Sequence, residues 1–199
     1  MSNDYLEVEV KLLVDDLAAI TRQLEILGAE LQVPRVFERN VRYENAARDL
    51  IQRGIVVRLR QDERTRLTYK EPGTLIDGIM RRFEAEVEVN DFATMDLILN
   101  KLAYKPEMVY EKFRTTYALA GSEIMLDELP FGPFVEIEGE PTQIDHIMHQ
   151  LDLQDKPRIA RSYVDVFAHL RQHLNLTFAD LTFDNFKDID VPASMLRSL

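Results

Sequence analysis

The sequence predicts an α+β fold, and three observations lead to this prediction. About eight segments alternate apolar with charged or polar residues at a period of two, which is typical of β-strands. Segments with helical spacing lie between the strands, and several of them begin after a capping Asp or at a Pro. Turn residues such as Gly121-Ser122 separate neighbouring strand segments, as they do in hairpins.

The first half of the chain holds most of the predicted strands. Residues 5–14 form the first strand, and an Asp-capped helix over 17–27 follows it and ends at Gly28. The next predicted elements are strands over 35–44, 55–61, 65–71 and 79–89, with a short helical turn over 46–53. Pro72-Gly73 breaks the alternation, so residues 72–78 are predicted to form a loop.

The second half alternates helices and strands. A helix is predicted from Asp91 to about Leu102. The later elements are strands over 108–119, 122–128 and 133–139, and helices over 141–151 and 160–174. We expect residues 1–175 to form one domain. The tail, residues 176–199, carries several large apolar residues, so we expect it to pack on this domain or to be partly disordered.

Composition narrows the class of function. The chain has 199 residues, no cysteine and a net charge of −11, which argues against nucleic acid as the main partner. It has no long apolar run and no signal-peptide pattern at its N-terminus, so we expect a cytoplasmic protein without a membrane partner. The histidine pairs His146/His149 and His169/His173 are interpreted as solvated helix residues rather than a zinc site.

Charged residues on the strands are segregated by sign. The acidic runs are Glu7-Val-Glu9, Glu84-Ala-Glu86-Val-Glu88 and Glu136-Ile-Glu138, and the basic positions are Lys11, Arg58, Arg60, Lys70, Lys112 and Arg114. For one strand alone, an antiparallel sheet with a solvated face would explain such alternation. A column of carboxylates repels itself, however, so acidic and basic columns on several strands favour a shared charged cavity. If the sheet closes into a barrel, these columns face one another across a tunnel.

The residue types in these columns suit a triphosphate with divalent metal ions. Mg²⁺ and Mn²⁺ prefer carboxylate oxygens, whereas Arg and Lys bind phosphate oxygens. The chain has neither a Walker loop nor a Gly-rich dinucleotide fingerprint. Side chains on the strands would therefore have to hold the phosphates.

The order of these motifs resembles the CYTH superfamily, the triphosphate tunnel metalloenzymes. The resemblance begins at Glu7-x-Glu9-x-Lys11, covers residues 5 to about 170, and includes Tyr163 in the segment Arg161-Ser-Tyr-Val-Asp. It implies an eight-stranded antiparallel closed β-barrel, the tunnel, with helices packed outside. It also implies Mg²⁺ or Mn²⁺ as cofactor, and a homodimer is compatible with it, although no residue pattern requires one.

The same resemblance implies roles for the charged residues. Glu7, Glu9, Glu136 and Glu138 would hold a metal ion that engages the phosphates. Glu84, Glu86 and Asp127 would hold or orient a second metal ion or the attacking water. The six basic residues, Lys11, Arg58, Arg60, Lys70, Lys112 and Arg114, would bind the substrate.

Three functions stay open from the sequence. The preferred one is metal-dependent hydrolysis of a terminal phosphate of inorganic triphosphate or a small organic triphosphate. The alternatives are a class IV adenylyl cyclase, which converts ATP to cyclic AMP and pyrophosphate, and a non-catalytic polyphosphate- or nucleotide-binding module. RNA 5′-triphosphatase activity is the least favoured, because the acidic chain would repel RNA.

Overall fold

The computed structural model describes residues 5–197. The first four residues of the predicted domain and the last two of the predicted tail lie outside this range. The strands are β1 (Leu6–Leu13), β2 (Glu30–Glu44), β3 (Val56–Gln61), β4 (Thr65–Lys70), β5 (Thr74–Ile76), β6 (Ile79–Val89), β7 (Lys105–Leu119), β8 (Ser122–Leu129) and β9 (Gly132–Glu138). The helices are α1 (Leu17–Ile26), α2 (Asp49–Gln52), α3 (Phe92–Lys101), α4 (Pro141–Gln150), α5 (Tyr163–Leu174), α6 (Phe183–Phe186) and α7 (Ala193–Arg197).

Eight of the strands close into an antiparallel barrel. Their order is β1-β9-β8-β7-β2-β3-β4-β6, and β6 pairs back with β1 to complete the ring. β5 is an additional strand that pairs with the beginning of β6. The predicted α+β fold with a closed eight-stranded barrel is therefore confirmed.

The prediction of a loop over 72–78 is wrong for residues 74–76. Asp77 and Gly78 both have positive φ, at 52° and 76°, which allows a tight hairpin turn between β5 and β6. The second strand also differs in length from the prediction, because β2 begins at Glu30, before the predicted range of 35–44. The helix predicted from residue 160 begins at Tyr163, after Ser162 caps it.

Apolar residues on the outer face of the barrel pack under three groups of helices. Helices α1 and α4 cover β1, β8 and β9, where Leu12, Ile124 and Ile137 are fully buried. Helix α3 covers β2 and β3, and the later helices α5 to α7 cover the side that includes Phe134. Because strand side chains alternate, the opposite set of residues points into the barrel.

Two connecting segments extend the barrel wall where barrel strands have a free edge. Leu181 pairs with β7, since its N–H donates to the Val109 carbonyl and its carbonyl accepts from the Glu111 N–H, both at 2.9 Å. Residues 157–159 pair with the end of β1, antiparallel to it, whereas Leu181 is parallel to β7. Within residues 5–197, no helix combines the length and the apolar character needed to cross a membrane.

Candidate active site

The inner face of the barrel surrounds a cavity of about 940 Å³. Within the part of the chain that the structure describes, ten carboxylates and ten basic side chains line it. The carboxylates are Glu7, Glu9, Glu38, Asp62, Glu63, Glu84, Glu86, Glu123, Glu136 and Glu138, and the bases are Lys11, Arg42, Arg58, Arg60, Arg64, Arg66, Lys70, Arg82, Lys112 and Arg114. The lining is thus close to neutral, although the chain as a whole carries −11.

Every predicted site residue except Asp127 lines this cavity. The reason is that alternate residues of a strand point to the same face of the sheet. The charged residues lie at alternate positions, so they point into the barrel together. Glu88, the third Glu of its strand, does not line the cavity and pairs instead with the exposed Arg64. The four histidines lie outside the lining as well.

On β1, β4 and β6, carboxylates and bases are interleaved. Glu7 accepts a hydrogen bond from Lys70 at 2.9 Å and pairs with Arg82, which also donates to Glu9 at 3.1 Å. Burial opposes ionisation of Glu7, but Lys70 and Arg82 outweigh it and lower the pKa of Glu7 to about 2. Lys70 lies 2.5 Å from Glu84, yet burial and the neighbouring Glu7 raise the pKa of Glu84 to about 6.

The two arginines of β3 are held by a second group of acceptors. Arg60 pairs with Glu86 at 3.0 Å and with the buried Glu38 at 3.3 Å. Arg58 donates to Thr68 and to the Tyr110 hydroxyl, each at 3.1 Å. Both guanidinium groups are therefore fixed in the cavity wall by β2, β4, β6 and β7.

Asp127 organises a third group from behind the lining. Its carboxylate is fully buried and accepts hydrogen bonds from Lys112 at 2.9 Å, Arg114 at 2.6 Å and the Tyr163 hydroxyl at 2.9 Å. Burial, with Asp127 beside it, raises the pKa of Tyr163 well above its usual value, so Tyr163 remains a hydroxyl donor. Asp127 is thus in a position to hold two bases in place and has no surface on the cavity.

Glu136 and Glu138, two residues apart on β9, have opposite environments. Glu136 lies 3.2 Å from Lys11 and also pairs with Arg114. Glu138 lies directly opposite Glu9 on β1, and its side chain makes neither a hydrogen bond nor an ion pair with any described residue. Burial and the charges of Glu7, Glu9, Glu84 and Glu123 raise the pKa of Glu138 to about 8.

Comparison with known proteins identifies this arrangement. The family model of the CYTH domain matches residues 5–163. The chain belongs to the CYTH family. CYTH enzymes include triphosphatases and adenylate cyclases, and they generally depend on a divalent metal.

Other known proteins are similar to this chain in sequence or in fold, at low sequence identity. A protein of Methanocaldococcus jannaschii named "putative adenylate cyclase" is 28% identical over 174 residues, which are 81% of this chain and 98% of that protein. A Vibrio parahaemolyticus structure with the same description has a TM-score of 0.74 at 20% identity, over 82% of this chain and 98% of its own. A Hippeastrum adenylyl cyclase homologue described as having a dominant triphosphatase activity has a TM-score of 0.61 at 20% identity, over 81% and 95%.

The carboxylates of this CYTH barrel have the right chemistry for a hard divalent cation. Glu138 faces Glu9 with no base between them, and carboxylate oxygens are the ligands that Mg²⁺ and Mn²⁺ prefer. Among residues 5–197, however, no group of three or more His, Asp or Glu side chains is arranged to hold a metal ion. Three of the carboxylates, Glu7, Glu9 and Glu136, form ion pairs with bases instead. The bases are Arg82, Lys70, Lys11 and Arg114.

Several residues of the CYTH cavity were not among the predicted site residues. Arg82 lies two positions before Glu84 on the same strand, so the period of two already placed it on the inner face. Glu38 follows the same rule on β2, where it lies opposite Lys112. Nothing in the sequence pairs Arg82 with Glu7 and Glu9, because that contact depends on β6 closing against β1.

Proposed function

We propose that this CYTH protein is a divalent-metal-dependent triphosphatase. It would hydrolyse the terminal phosphoanhydride bond of inorganic triphosphate or of a small organic triphosphate, with Mg²⁺ or Mn²⁺. The observation that carries the proposal is the interleaved lining of ten carboxylates and ten bases in one cavity. Such a lining is nearly neutral, so it favours a polyanion that arrives together with cations over either charge alone.

The basic residues are proposed to bind the phosphates. Lys11, Arg58, Arg60, Lys70, Lys112 and Arg114 all line the cavity. In the absence of a ligand their charges are balanced by carboxylates, so a triphosphate would exchange one set of charge-assisted hydrogen bonds for another. Asp127 keeps its hydrogen bonds to Lys112 and Arg114 throughout and is proposed to act as a positioning residue.

The acidic residues are proposed to divide between metal binding and activation of water. Glu7, Glu9, Glu136 and Glu138 would hold the metal ion, which when bound neutralises phosphate charge and acidifies water. Glu84 and Glu86 would orient the attacking water from β6. Water attacks the terminal phosphorus, the bond to the bridging oxygen breaks, and Glu84 accepts the proton that the water loses.

Adenylyl cyclase activity is the second candidate. The name of the M. jannaschii relative favours it, and ATP carries the same triphosphate group. The activity of the Hippeastrum protein agrees with the first candidate, but at 20% identity that likeness extends to the fold alone. A binding module without catalysis is less favoured, because Glu84 and Glu86 both line the cavity beside the bases.

The products formed from inorganic triphosphate and from ATP test this proposal. Each substrate is incubated with Mg²⁺ or Mn²⁺, and with a chelator as control. Orthophosphate release that stops with the chelator supports the triphosphatase. Cyclic AMP and pyrophosphate from ATP would replace it with the cyclase, and no product from either substrate would contradict both reactions.

A pair of variants tests the metal assignment in the same assay. Glu9→Gln is expected to reduce kcat about 100-fold or more, because the metal ion loses a charged ligand, while circular dichroism shows an unchanged fold. Glu88→Gln is the matched control, since Glu88 pairs only with the exposed Arg64. Equal activity of Glu9→Gln and the control would refute the assigned role of Glu9.

A further inference from the structure

Asn40 is a buried polar residue that no step of the proposed reaction uses. It lies on β2 between Glu38 and Arg42, which both line the cavity, so its side chain also points into the barrel. Asn40 itself is fully buried and does not line the cavity. Neither its amide oxygen nor its amide nitrogen makes a hydrogen bond with any described residue. A buried amide in this condition is rare, so it requires an explanation.

The side chain of Arg58 covers Asn40. β2 lies between β3 and β7, and Asn40 lies opposite Arg60 on β3 and opposite Tyr110 on β7. Arg58 belongs to β3 but donates to the Tyr110 hydroxyl at 3.1 Å. To reach this hydroxyl, the Arg58 side chain has to cross the inner face of β2 at Asn40. The amide is therefore enclosed beside the two arginines of β3.

Neighbouring side chains have buried atoms in the same condition. Glu38 Oε2, Arg58 Nε and Arg60 Nε are buried and make no hydrogen bond with a described residue. Lys112 is 3.6 Å from Glu38 Oε2, which is too far for a hydrogen bond. With the Asn40 amide, these atoms provide three nitrogens that donate and two oxygens that accept. The set is therefore self-complementary, although none of its members bonds another directly.

A water molecule has the size and the chemistry to connect this set. Buried waters typically make about three hydrogen bonds to polar groups that have no other partner. Water accepts from an arginine N–H and donates to an amide or carboxylate oxygen, so it serves both kinds of group. A cation would serve only the oxygens and an anion only the nitrogens.

The two arginines need this support at Nε in particular. Every side-chain hydrogen bond that Arg58 and Arg60 make with the described residues uses a terminal nitrogen, Nη1 or Nη2. The terminal nitrogens are also available for charge-assisted hydrogen bonds to a phosphate. When they turn to a phosphate, Nε remains to hold the plane of the guanidinium group to the protein.

We infer that Asn40 is a positioning residue for the arginines that bind phosphate. Through one ordered water molecule it holds Arg58 and Arg60 at Nε, and the same amide can donate towards Glu38. Asparagine suits this role because its amide both donates and accepts, whereas aspartate would only accept and leucine would do neither. The inference rests on the proposed function, in which Arg58 and Arg60 bind the substrate, and adds a residue that does not touch it.

A crystal structure of the unaltered, ligand-free protein tests the water directly. We expect an ordered water molecule within hydrogen-bond distance of the Asn40 amide and of Nε of Arg58 or Arg60. In a structure of Asn40→Leu, the water should be absent and the two guanidinium groups should be turned. An Asn40 amide without a bound water in the unaltered protein would overturn the inference, whether or not Asn40→Leu folds.

Calorimetric titration with inorganic triphosphate in the presence of Ca²⁺ measures the consequence for binding. Asn40→Leu is expected to bind about tenfold more weakly, which corresponds to the net contribution of about one hydrogen bond. Asn40→Ser keeps a donor and an acceptor and leaves room for water, so its affinity should stay within about threefold of that of the unaltered protein.

Leu59→Ala is the matched control for a loss of stability alone. Leu59 lies between the two arginines on β3, but its side chain is fully buried in the outer core. The substitution should lower the melting temperature, while the affinity for inorganic triphosphate changes less than about twofold. Unchanged affinity in Asn40→Leu, or equal losses in Asn40→Leu and Leu59→Ala, would contradict the positioning role.

The outcomes also separate this inference from the proposed function. Hydrolysis of inorganic triphosphate, with equal affinity in Asn40→Leu and the unaltered protein, would retain the triphosphatase and reject the role of Asn40. A water at Asn40 and weaker binding by Asn40→Leu, without orthophosphate release from any substrate, would retain the role of Asn40 and reject the triphosphatase.

Discussion

Two carboxylates of the barrel, Asp127 and Glu138, have opposite environments. Asp127 is fully buried and accepts hydrogen bonds from Lys112, Arg114 and Tyr163. Glu138 is only partly buried and lies opposite Glu9, and its side chain has no hydrogen-bond or ion-pair partner among the described residues. The region around Asp127 is therefore complete without a ligand, whereas the region around Glu138 has more carboxyl groups than bases to pair with them.

The difference indicates that Asp127 supports the wall of the cavity, whereas Glu138 belongs to the part of the cavity that would bind a cation. A buried carboxylate with three donors holds its bases in one geometry, which is how a site is preorganised. A carboxylate opposite another carboxylate is unfavourable until a cation lies between them. Substitutions at Asp127 and at Glu138 should therefore change the free energy of unfolding in opposite directions.

The largest effect is expected at Asp127. Asp127→Ala leaves Lys112 and Arg114 without their shared acceptor, and breaking a buried ion pair costs about 3–5 kcal/mol of unfolding free energy. Urea denaturation measures this loss. Glu128→Ala is the control on the next residue, because its pair with Arg35 is exposed and contributes about 1 kcal/mol or less. Losses of equal size in the two variants would show that Asp127 does not anchor the network.

A smaller loss is expected at Tyr163. Tyr163→Phe removes one hydrogen bond to a charged acceptor, which contributes about 1.5–3 kcal/mol to the free energy of unfolding. The double variant Tyr163→Phe/Asp127→Ala should lose less stability than the sum of the two single losses, since both single variants remove the same bond. Strict additivity in urea denaturation would contradict a shared network.

The smallest effect, and the only gain, is expected at Glu138. Because the pKa of Glu138 is about 8, its charge repels Glu9 only above that pH. At about pH 9 in a chelator, Glu138→Gln removes this repulsion, so the free energy of unfolding should rise by about 0.2–1 kcal/mol. Mg²⁺ or Mn²⁺ should raise the melting temperature of the unaltered protein, because ligands that bind the folded state stabilise it. The variant should respond less. A lower stability in the chelator, or an undiminished metal response, would place the cation elsewhere.

Much of the barrel follows from local sequence. Alternation placed Glu7, Glu9 and Lys11 on one face of β1 and Glu84 and Glu86 on one face of β6, because the period of two belongs to the strand itself. Closure of the sheet was implied by the resemblance and is confirmed by the pairing of β1 with β6. The inward set of charges was therefore largely predictable.

The sequence alone does not show which charged side chains form ion pairs with one another. Arg82 meets Glu7 and Glu9 only because two strands that are far apart in the chain close the ring. The register shifts of β2 on both sides of Val33 depend in the same way on its pairing with β7. β5 was not predicted, because the three residues that follow Pro72-Gly73 are too few to show alternation. They form a strand only through their pairing with β6.

The pairing of Leu181 with β7 covers backbone groups at a strand edge that would otherwise be open. A chain that ended before residue 175 would leave the N–H of Glu111 and the carbonyl of Val109 without these partners. An open strand edge of this kind is a template for pairing with another molecule. The tail is therefore expected to protect this edge of the barrel against pairing with another molecule.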